Sequence, residues 1–202
     1  MITIIDYGMG NLHSVFKAFR RIGSEIVVSS DIKEIEKADK LILPGVGHFK
    51  KGMENLINNG IDKVIKARVS EGVPLLGICL GMQLLTNFSE EGNVAGLGLI
   101  DAKTIHFKNL EIDEELKIPH IGWNSISSIK ENSILENCNN EMFYFVHSYA
   151  VMCNNFEDIL CITNYGTAFH SGFQKGNIIG VQFHPEKSHK AGLQLLRNFV
   201  IM

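Results

Sequence analysis

Three residues of this chain have types and neighbours suited to acyl-transfer chemistry: Cys79, His184 and Glu186. Cys79 stands in Gly77-Ile78-Cys79-Leu80-Gly81, directly after the apolar run Val73-Pro74-Leu75-Leu76. The pattern predicts a buried strand, a glycine-flanked turn and a helix from Leu80 to about Asn87, which is the layout of a nucleophile elbow with sulfur in place of oxygen. Small flanking residues let the backbone turn sharply and a substrate approach. A helix N-terminus behind the sulfur favours negative charge there. A thiolate needs a base, and Val181-Gln182-Phe183-His184-Pro185-Glu186-Lys187-Ser188 offers one. Pro185 disfavours helix for the residue before it. In extended chain His184 and Glu186 point the same way, so the carboxylate can hold the imidazole in one tautomer. Each residue alone also has a plain reading: a buried thiol, a packed histidine, a solvated carboxylate. Together they read as nucleophile, general base and acid, and orienter.

Acyl transfer also needs donors for an oxyanion. Pro44-Gly45-Val46-Gly47 follows the expected strand Lys40-Leu43 and is expected at the same sheet edge as Cys79. Backbone N–H groups of Val46, Gly47 and Leu80 are the candidate donors, each worth roughly 3 kcal/mol in such a role. The same tetrapeptide also fits an ordinary strand-to-helix turn.

These residues have to be positioned by elements, and the first half of the chain alternates strand and helix. Ile2-Ile5, Glu25-Ser29, Lys40-Leu43 and Val73-Ile78 read as strands. Leu12, Val15, Phe16 and Phe19 fall on one helical face, Asp31-Lys37 reads as a short helix capped by Asp31, and Met53 to Ile65 marks a helical face interrupted near Gly60. This grammar predicts a doubly wound parallel sheet, with ligands at the carboxyl ends of the strands where Cys79 falls. From about Ala102 the pattern changes to short β-rich stretches: Ile118-Ile121, Ser125-Ile129, Met142-Val146, Ile159-Asn164, Ala168-Gln174 and Ile178-Val181. They suggest antiparallel or mixed additions to the sheet, followed by a last helix from about Ser188 to Val200. The expected class is therefore α/β, one domain over residues 1–202, with a mostly parallel central sheet flanked by helices and antiparallel strands added in the second half.

Bulk properties permit this reading without selecting it. A chain of 202 residues can bury about 70% of its unfolded surface. The net charge of −3 gives no pull toward nucleic acid or an anionic membrane. Cys79, Cys138, Cys153 and Cys161 form no C-x-x-C pair, which points to a reducing cytoplasm. The start reads as a strand rather than a signal peptide, and no apolar run approaches the ~20 residues of a membrane span. There is no glycine-lysine phosphate loop, and His13, His48, His106, His170 and His189 are scattered without ligand spacing, so neither a cofactor nor a metal is expected.

Taken together, Gly77-Ile78-Cys79-Leu80-Gly81-Met82-Gln83, Pro44-Gly45-Val46-Gly47 and His184-Pro185-Glu186 resemble the class I, triad-type glutamine amidotransferases. Asp6-Tyr7-Gly8-Met9-Gly10-Asn11, Pro119-His120-Ile121-Gly122-Trp123-Asn124 and Tyr144-Phe145-Val146-His147-Ser148-Tyr149 narrow the resemblance to the glutaminase subunits of imidazole glycerol phosphate synthases. The likeness runs in order from Met1 to the last helix. It departs in Ile121, where the family's usual residue is Met, and in the acidic stretch Lys108-Lys117, which matches no motif.

The resemblance implies that Cys79 attacks the carboxamide of L-glutamine and that His184 protonates the departing ammonia. Gln83, helped by the backbone of His147, Ser148 and Tyr149, would hold the substrate. Val46 or its neighbour would present an oxyanion amide, in one version only after a peptide flip triggered by a partner. Asn11, His120 and Trp123 would face that partner, a (βα)8-barrel cyclase in a heterodimer. The cyclase would receive ammonia through a channel and make imidazole glycerol phosphate and AICAR in histidine biosynthesis. Alternatives from the same motifs are a paralogous subunit supplying ammonia for amidination of a surface sugar, a cysteine hydrolase of the same fold, and a silent binding subunit.

Overall fold

The computed structural model describes residues 1–110 and 116–202; residues 111–115, inside the acidic stretch Lys108-Lys117, lie outside the described residues. The chain begins with β1 (Ile2–Ile5), α1 (Leu12–Arg21), β2 (Ile26–Ser29), α2 (Ile32–Glu36) and β3 (Lys40–Gly45). It continues through α3 (Phe49–Asn58), α4 (Ile61–Ser70), β4 (Leu75–Cys79) and α5 (Leu80–Leu84). Short strands β5 (Phe88–Ser89) and β6 (Val94–Ala95) lead to β7 (Ala102–His106), β8 (His120–Ser125) and β9 (Ser127–Ser128). Then come β10 (Met142–His147), β11 (Tyr149–Cys153), β12 (Ile159–Tyr165), β13 (Thr167–Lys175), β14 (Ile178–Val181) and α6 (His189–Ile201).

Among the described residues twelve strands make one sheet, with the central order β2-β1-β3-β4-β14-β13-β11-β7-β5-β6. From β2 to β14 every pairing is parallel, and β14-β13, β13-β11 and β11-β7 are antiparallel. The expected α/β class holds: a parallel half carries antiparallel strands added later in the chain. Strands β8 and β10 stand apart as an antiparallel ribbon, with His120 opposite His147 and Trp123 opposite Tyr144.

The alternation of side chains along the buried strands gives each sheet face its own core. Ile4, Leu76 and Ile78 pack with Val15 and Phe19 of α1 and with Leu195, Leu196 and Phe199 of α6. Ile5, Leu43 and Leu75 pack on the other side with Phe49, Leu56, Ile65 and Leu84. Because strands covered on both faces cannot alternate apolar with polar, they read as continuous apolar runs. Local chemistry sets the helix starts. Asn11 accepts from Ser14 N at 3.2 Å to cap α1, and Asp31 accepts from Lys33 N at 2.8 Å to cap α2. The expected interruption near Gly60 is a break between α3 and α4, with Gly60 at φ 69°. Lys40 Nζ reaches the far end of the chain, donating to the Phe199 and Val200 carbonyls of α6 at 2.9 and 2.7 Å.

Several boundaries differ from expectation. Strand β3 runs on through Pro44 and Gly45, which still pair with Ile78 and Cys79. On its other side β1 stops at Ile42, so the missing N–H of Pro44 breaks no bond there. Helix α5 ends at Leu84, not near Asn87, because Thr86 Oγ1 donates to the Gln83 carbonyl at 2.8 Å and closes the last turn. The stretch Ile118-Ile121 becomes strand only from His120, since Pro119 has no N–H to give a ladder. Strands β7 and β11 were not expected at all.

Candidate active site

The elbow takes the expected form. Cys79 closes β4 at φ 54° and ψ −112°, a left-handed conformation that costs a non-glycine residue about 1–3 kcal/mol. Two glycines make the turn possible. A Cβ on Gly81 would stand 1.7 Å from the Leu43 carbonyl oxygen, and one on Gly77 would stand 2.8 Å from Met82 N. The turn therefore packs backbone on backbone, holding Cys79 Sγ 4.0 Å from the Val146 carbonyl.

His184 and Glu186, the expected base and orienter, meet by a different backbone route from the one expected. Pro185–Lys187 is a 3-10 turn rather than extended chain, with His184 capping it at φ −102° and ψ 92°. The turn still brings His184 Nδ1 within 2.8 Å of Glu186 Oε1, with both side chains almost fully buried. A carboxylate only accepts, so Nδ1 donates to Glu186, and Nε2 is the nitrogen at which a proton can be given or taken. Among the described residues Nε2 has no hydrogen-bond partner. Burial opposes a charge on this ring. The negative charge of Cys79 near the ring, joined by the hydrogen bond to Glu186, outweighs that, and His184 is pushed up to about 10. The imidazolium form of His184 is thereby favoured. Burial pushes Cys138, Cys153 and Cys161 each up to about 12, which makes them inert as nucleophiles.

Backbone stitches fix the imidazole against the ribbon. His184 N donates to the Tyr144 carbonyl at 2.9 Å. Ser188 Oγ accepts from Tyr144 N at 3.0 Å and donates to the His184 carbonyl at 2.6 Å.

Cys79 opens into a cavity of about 410 Å³. Val46, Gly47, Leu80, Gln83, His147, Ser148 and Tyr149 all line it, so the sequence-predicted oxyanion and substrate residues come together at one place. The volume suits a small amino-acid amide. A larger hollow of about 700 Å³ over Ser128–Asn139 contains none of these residues.

Two predicted contacts take another form. Gln83 is 5% exposed and its Nε2 is already engaged, donating to the Tyr149 carbonyl at 3.2 Å and to Gln182 Oε1 at 3.0 Å. Because Gln182 Oε1 accepts, its Nε2 faces Cys79 Sγ, at 3.6 Å. Gln83 thus sets the amide that touches the sulfur and the backbone of the cavity wall. His120, expected on a partner face, is 2% exposed, stacked between Tyr165 and Phe145 with centroids at 4.0 and 4.8 Å. Its Nδ1 lies 3.0 Å from His147 Nε2, while His147 Nδ1 donates to the Tyr149 carbonyl at 2.8 Å. Burial lowers His120 to about 4 and His147 to about 3. With both rings neutral, one arrangement satisfies the chain: His120 Nδ1–H donates to His147 Nε2. By contrast Trp123 is 44% exposed, stacked on His189, with exposed Ile121 beside it. Asn11 is exposed at the start of α1.

Sequence reasoning missed Glu91 and Gln182. Glu91 supplies the cavity's carboxylate, and its Oε2 accepts from Phe49 N at 2.6 Å. Nothing around Ser89-Glu90-Glu91-Gly92 separates it from a surface acid. Gln182 was legible: it lies two residues from His184 and so shares its face of the chain.

The chain matches the family described as Glutamine amidotransferase class-I over residues 3–202. It is 52% identical over 202 residues to "Imidazole glycerol phosphate synthase subunit HisH 2" of Methanococcus maripaludis, covering 99% of this chain and 98% of that protein. It is 48% identical to "Imidazole glycerol phosphate synthase subunit HisH" of Sulfurimonas denitrificans over 201 residues, covering 98% of this chain and 97% of that one. A solved structure described as a glutamine amidotransferase superposes with a TM-score of 0.78 at 18% identity, covering 100% of this chain and 98% of that chain, a likeness of fold. A family match over nearly the whole length, with full-length relatives near half identity, leads to one conclusion: this chain belongs to the class I glutamine amidotransferases.

Proposed function

We propose that the chain is the glutaminase subunit of an imidazole glycerol phosphate synthase, releasing ammonia from L-glutamine for a cyclase partner. The observation that carries the chemistry is Cys79 in the wall of one small cavity, with the buried 2.8 Å His184–Glu186 pair near enough for the Cys79 charge to act on His184. The pathway rests on the relatives, which bear the name of that synthase. None of those relatives favours the surface-sugar alternative.

The residues divide the work as follows. Cys79 thiolate attacks the carboxamide carbon, and the amides of Val46 or Gly47 and of Leu80 receive the oxyanion. His184 gives its Nε2 proton to the nitrogen as the C–N bond breaks, and ammonia leaves. His184 then takes a proton from water, which attacks the thioester, frees glutamate and restores the thiolate. Glu91 is the partner for the substrate's α-ammonium, being the cavity's only carboxylate among the described residues. The backbone of His147, Ser148 and Tyr149 flanks the amino-acid end.

Ammonia is useful only if an acceptor is coupled. The exposed ribbon face of Ile121, Trp123 and Met142 is the surface offered to a (βα)8-barrel cyclase, forming a heterodimer. The resemblance adds Asn11, which is also exposed, to the partner-facing residues. No described helix is long and apolar enough to cross a membrane, and the reading places the enzyme in the cytoplasm.

The test is Cys79→Ala in the complex with the cyclase. Glutamine-dependent turnover should vanish while ammonium salts still drive the synthase. Glutamine use surviving that substitution would sink the assignment.

A further inference from the structure

Tyr7 follows β1 in the segment Asp6-Tyr7-Gly8-Met9-Gly10-Asn11, and none of the chemistry above uses its hydroxyl. The ring is 1% exposed, and Tyr7 Oη has no hydrogen-bond partner among the described residues. An isolated buried hydroxyl is costly, and phenylalanine would fill the same space without that cost. The residue is held in place: its carbonyl accepts from Asn55 Nδ2 at 3.0 Å. The hydroxyl lies against Gly45, where a Cβ would stand 2.4 Å from Oη. The space left by the absent side chain of Gly45 is therefore occupied by the phenol oxygen.

The neighbours limit what this hydroxyl can serve. Cys79 Sγ has its donor in Gln182 Nε2, and Tyr7 makes no hydrogen bond to the sulfur. Tyr7 is not part of the cavity wall, whereas Val46 and Gly47 are, so the hydroxyl sits behind the loop. Burial, with Cys79's charge added, pushes the phenol far above its usual range, and it stays protonated as a donor. A peptide unit is planar and trans, so the N–H of Val46 and the C=O of Gly45 point in opposite directions. Any orientation that aims the Val46 amide into the cavity aims the Gly45 carbonyl back into the body of the protein.

We propose that Tyr7 is a positioning residue for the oxyanion site: its hydroxyl donates to the Gly45 carbonyl when the Gly45–Val46 peptide presents its amide to the substrate. This rests on the reading of Val46 as an oxyanion donor. The hydroxyl stabilises the reactive orientation of the loop and contributes nothing to substrate binding in the ground state.

Tyr7→Phe keeps the ring and removes only the hydroxyl. In the complex with the cyclase, kcat for glutamine should fall about tenfold or more with KM within about twofold, and Tm should hold or rise. A variant with the parent's kcat overturns the proposal, as does one whose KM and kcat fail only in step with a lowered Tm. A second measurement does not depend on turnover. The crystal structure of the full chain alkylated at Cys79 by a chloroketone analogue of L-glutamine should bring Tyr7 Oη within about 3.2 Å of the Gly45 carbonyl oxygen. An adduct in which Oη remains unpaired overturns the Tyr7 role and leaves Cys79 as the glutamine nucleophile. Failure to alkylate Cys79 overturns both.

Discussion

Two turns leave the same edge of the sheet, one after β3 and one after β4, and their last residues pair directly, Gly45 with Cys79. Both are glycine-flanked, yet they are built differently. The turn after β4 is locked: Gly77 and Gly81 pack backbone to backbone, with no room for a methyl group on either. The turn after β3 is open on its cavity side. Val46 is 40% exposed, and a Cβ on Gly47 would meet only the terminal methyl of Met9, at 2.8 Å. Gly47 needs glycine for its φ of 112° rather than for space. Cys79 is thus fixed by contact on both of its glycine flanks, while beyond the equally close-packed Gly45 the proposed oxyanion residues Val46 and Gly47 are placed by torsion angles that can change.

The largest effect should come from removing what the locked turn serves. His184→Ala should lower glutaminase kcat by about 10²–10⁴-fold with the fold intact, measured in the cyclase complex. A smaller loss would mean that the fixed thiol does not depend on this base. Gly81→Ala breaks the lock itself, and should cost roughly 3 kcal/mol or more in a denaturant titration because the Leu43 carbonyl must move. Near-parental stability would show that the elbow yields after all. Gly47→Ala acts on the open turn through strain alone, so about 1–2 kcal/mol of stability is expected, with kcat hit harder than KM. Equal losses from Gly47→Ala and Gly81→Ala would erase the contrast between the turns.

The smallest effect concerns the imidazole pair of the β8–β10 ribbon. Unfolded histidine titrates near pH 6.5, whereas folded His120 and His147 stay neutral down to about 4 and about 3. The unfolded chain therefore binds protons that the folded one refuses, and stability falls as pH drops from about 6.5 toward 4. Thermal unfolding across that range should show Tm decreasing with acid, and His120→Phe should make the decline shallower. An unchanged slope would mean that the imidazole pair is not held neutral.

The parallel half was legible because strands buried on both faces leave continuous apolar runs, as in Ile2-Ile5 and Val73-Ile78. Strand β7 escaped because Lys103, Thr104 and His106 leave only Ala102 and Ile105 apolar in it, too few to form a run. The pairing of His184 with Glu186 was foreseen, but through extended chain. A proline-led 3-10 turn produces the same meeting, so the spacing was informative and the backbone was not. His120 shows the converse. Period-two alternation puts it on the face opposite Ile121 and Trp123, so one partner surface could not hold both His120 and Trp123. Glu91 stayed hidden because its role depends on a cavity whose walls come from distant segments.

The clasp from Lys40 to the carbonyls of α6 spans 159 and 160 residues of sequence. It belongs to a face of the first-made sheet that is covered in part by the last-made helix, where Leu195, Leu196 and Phe199 meet Val15 and Phe19. A chain emerging from the ribosome therefore completes β1 to β4 long before the material that seals one side of them exists. The half of the molecule that carries the nucleophile is synthesised first and finished last. During that interval its apolar face is exposed to whatever else the cell has to offer it, which makes this a protein whose yield should depend on elongation rate and on holding chaperones more than its final stability would suggest.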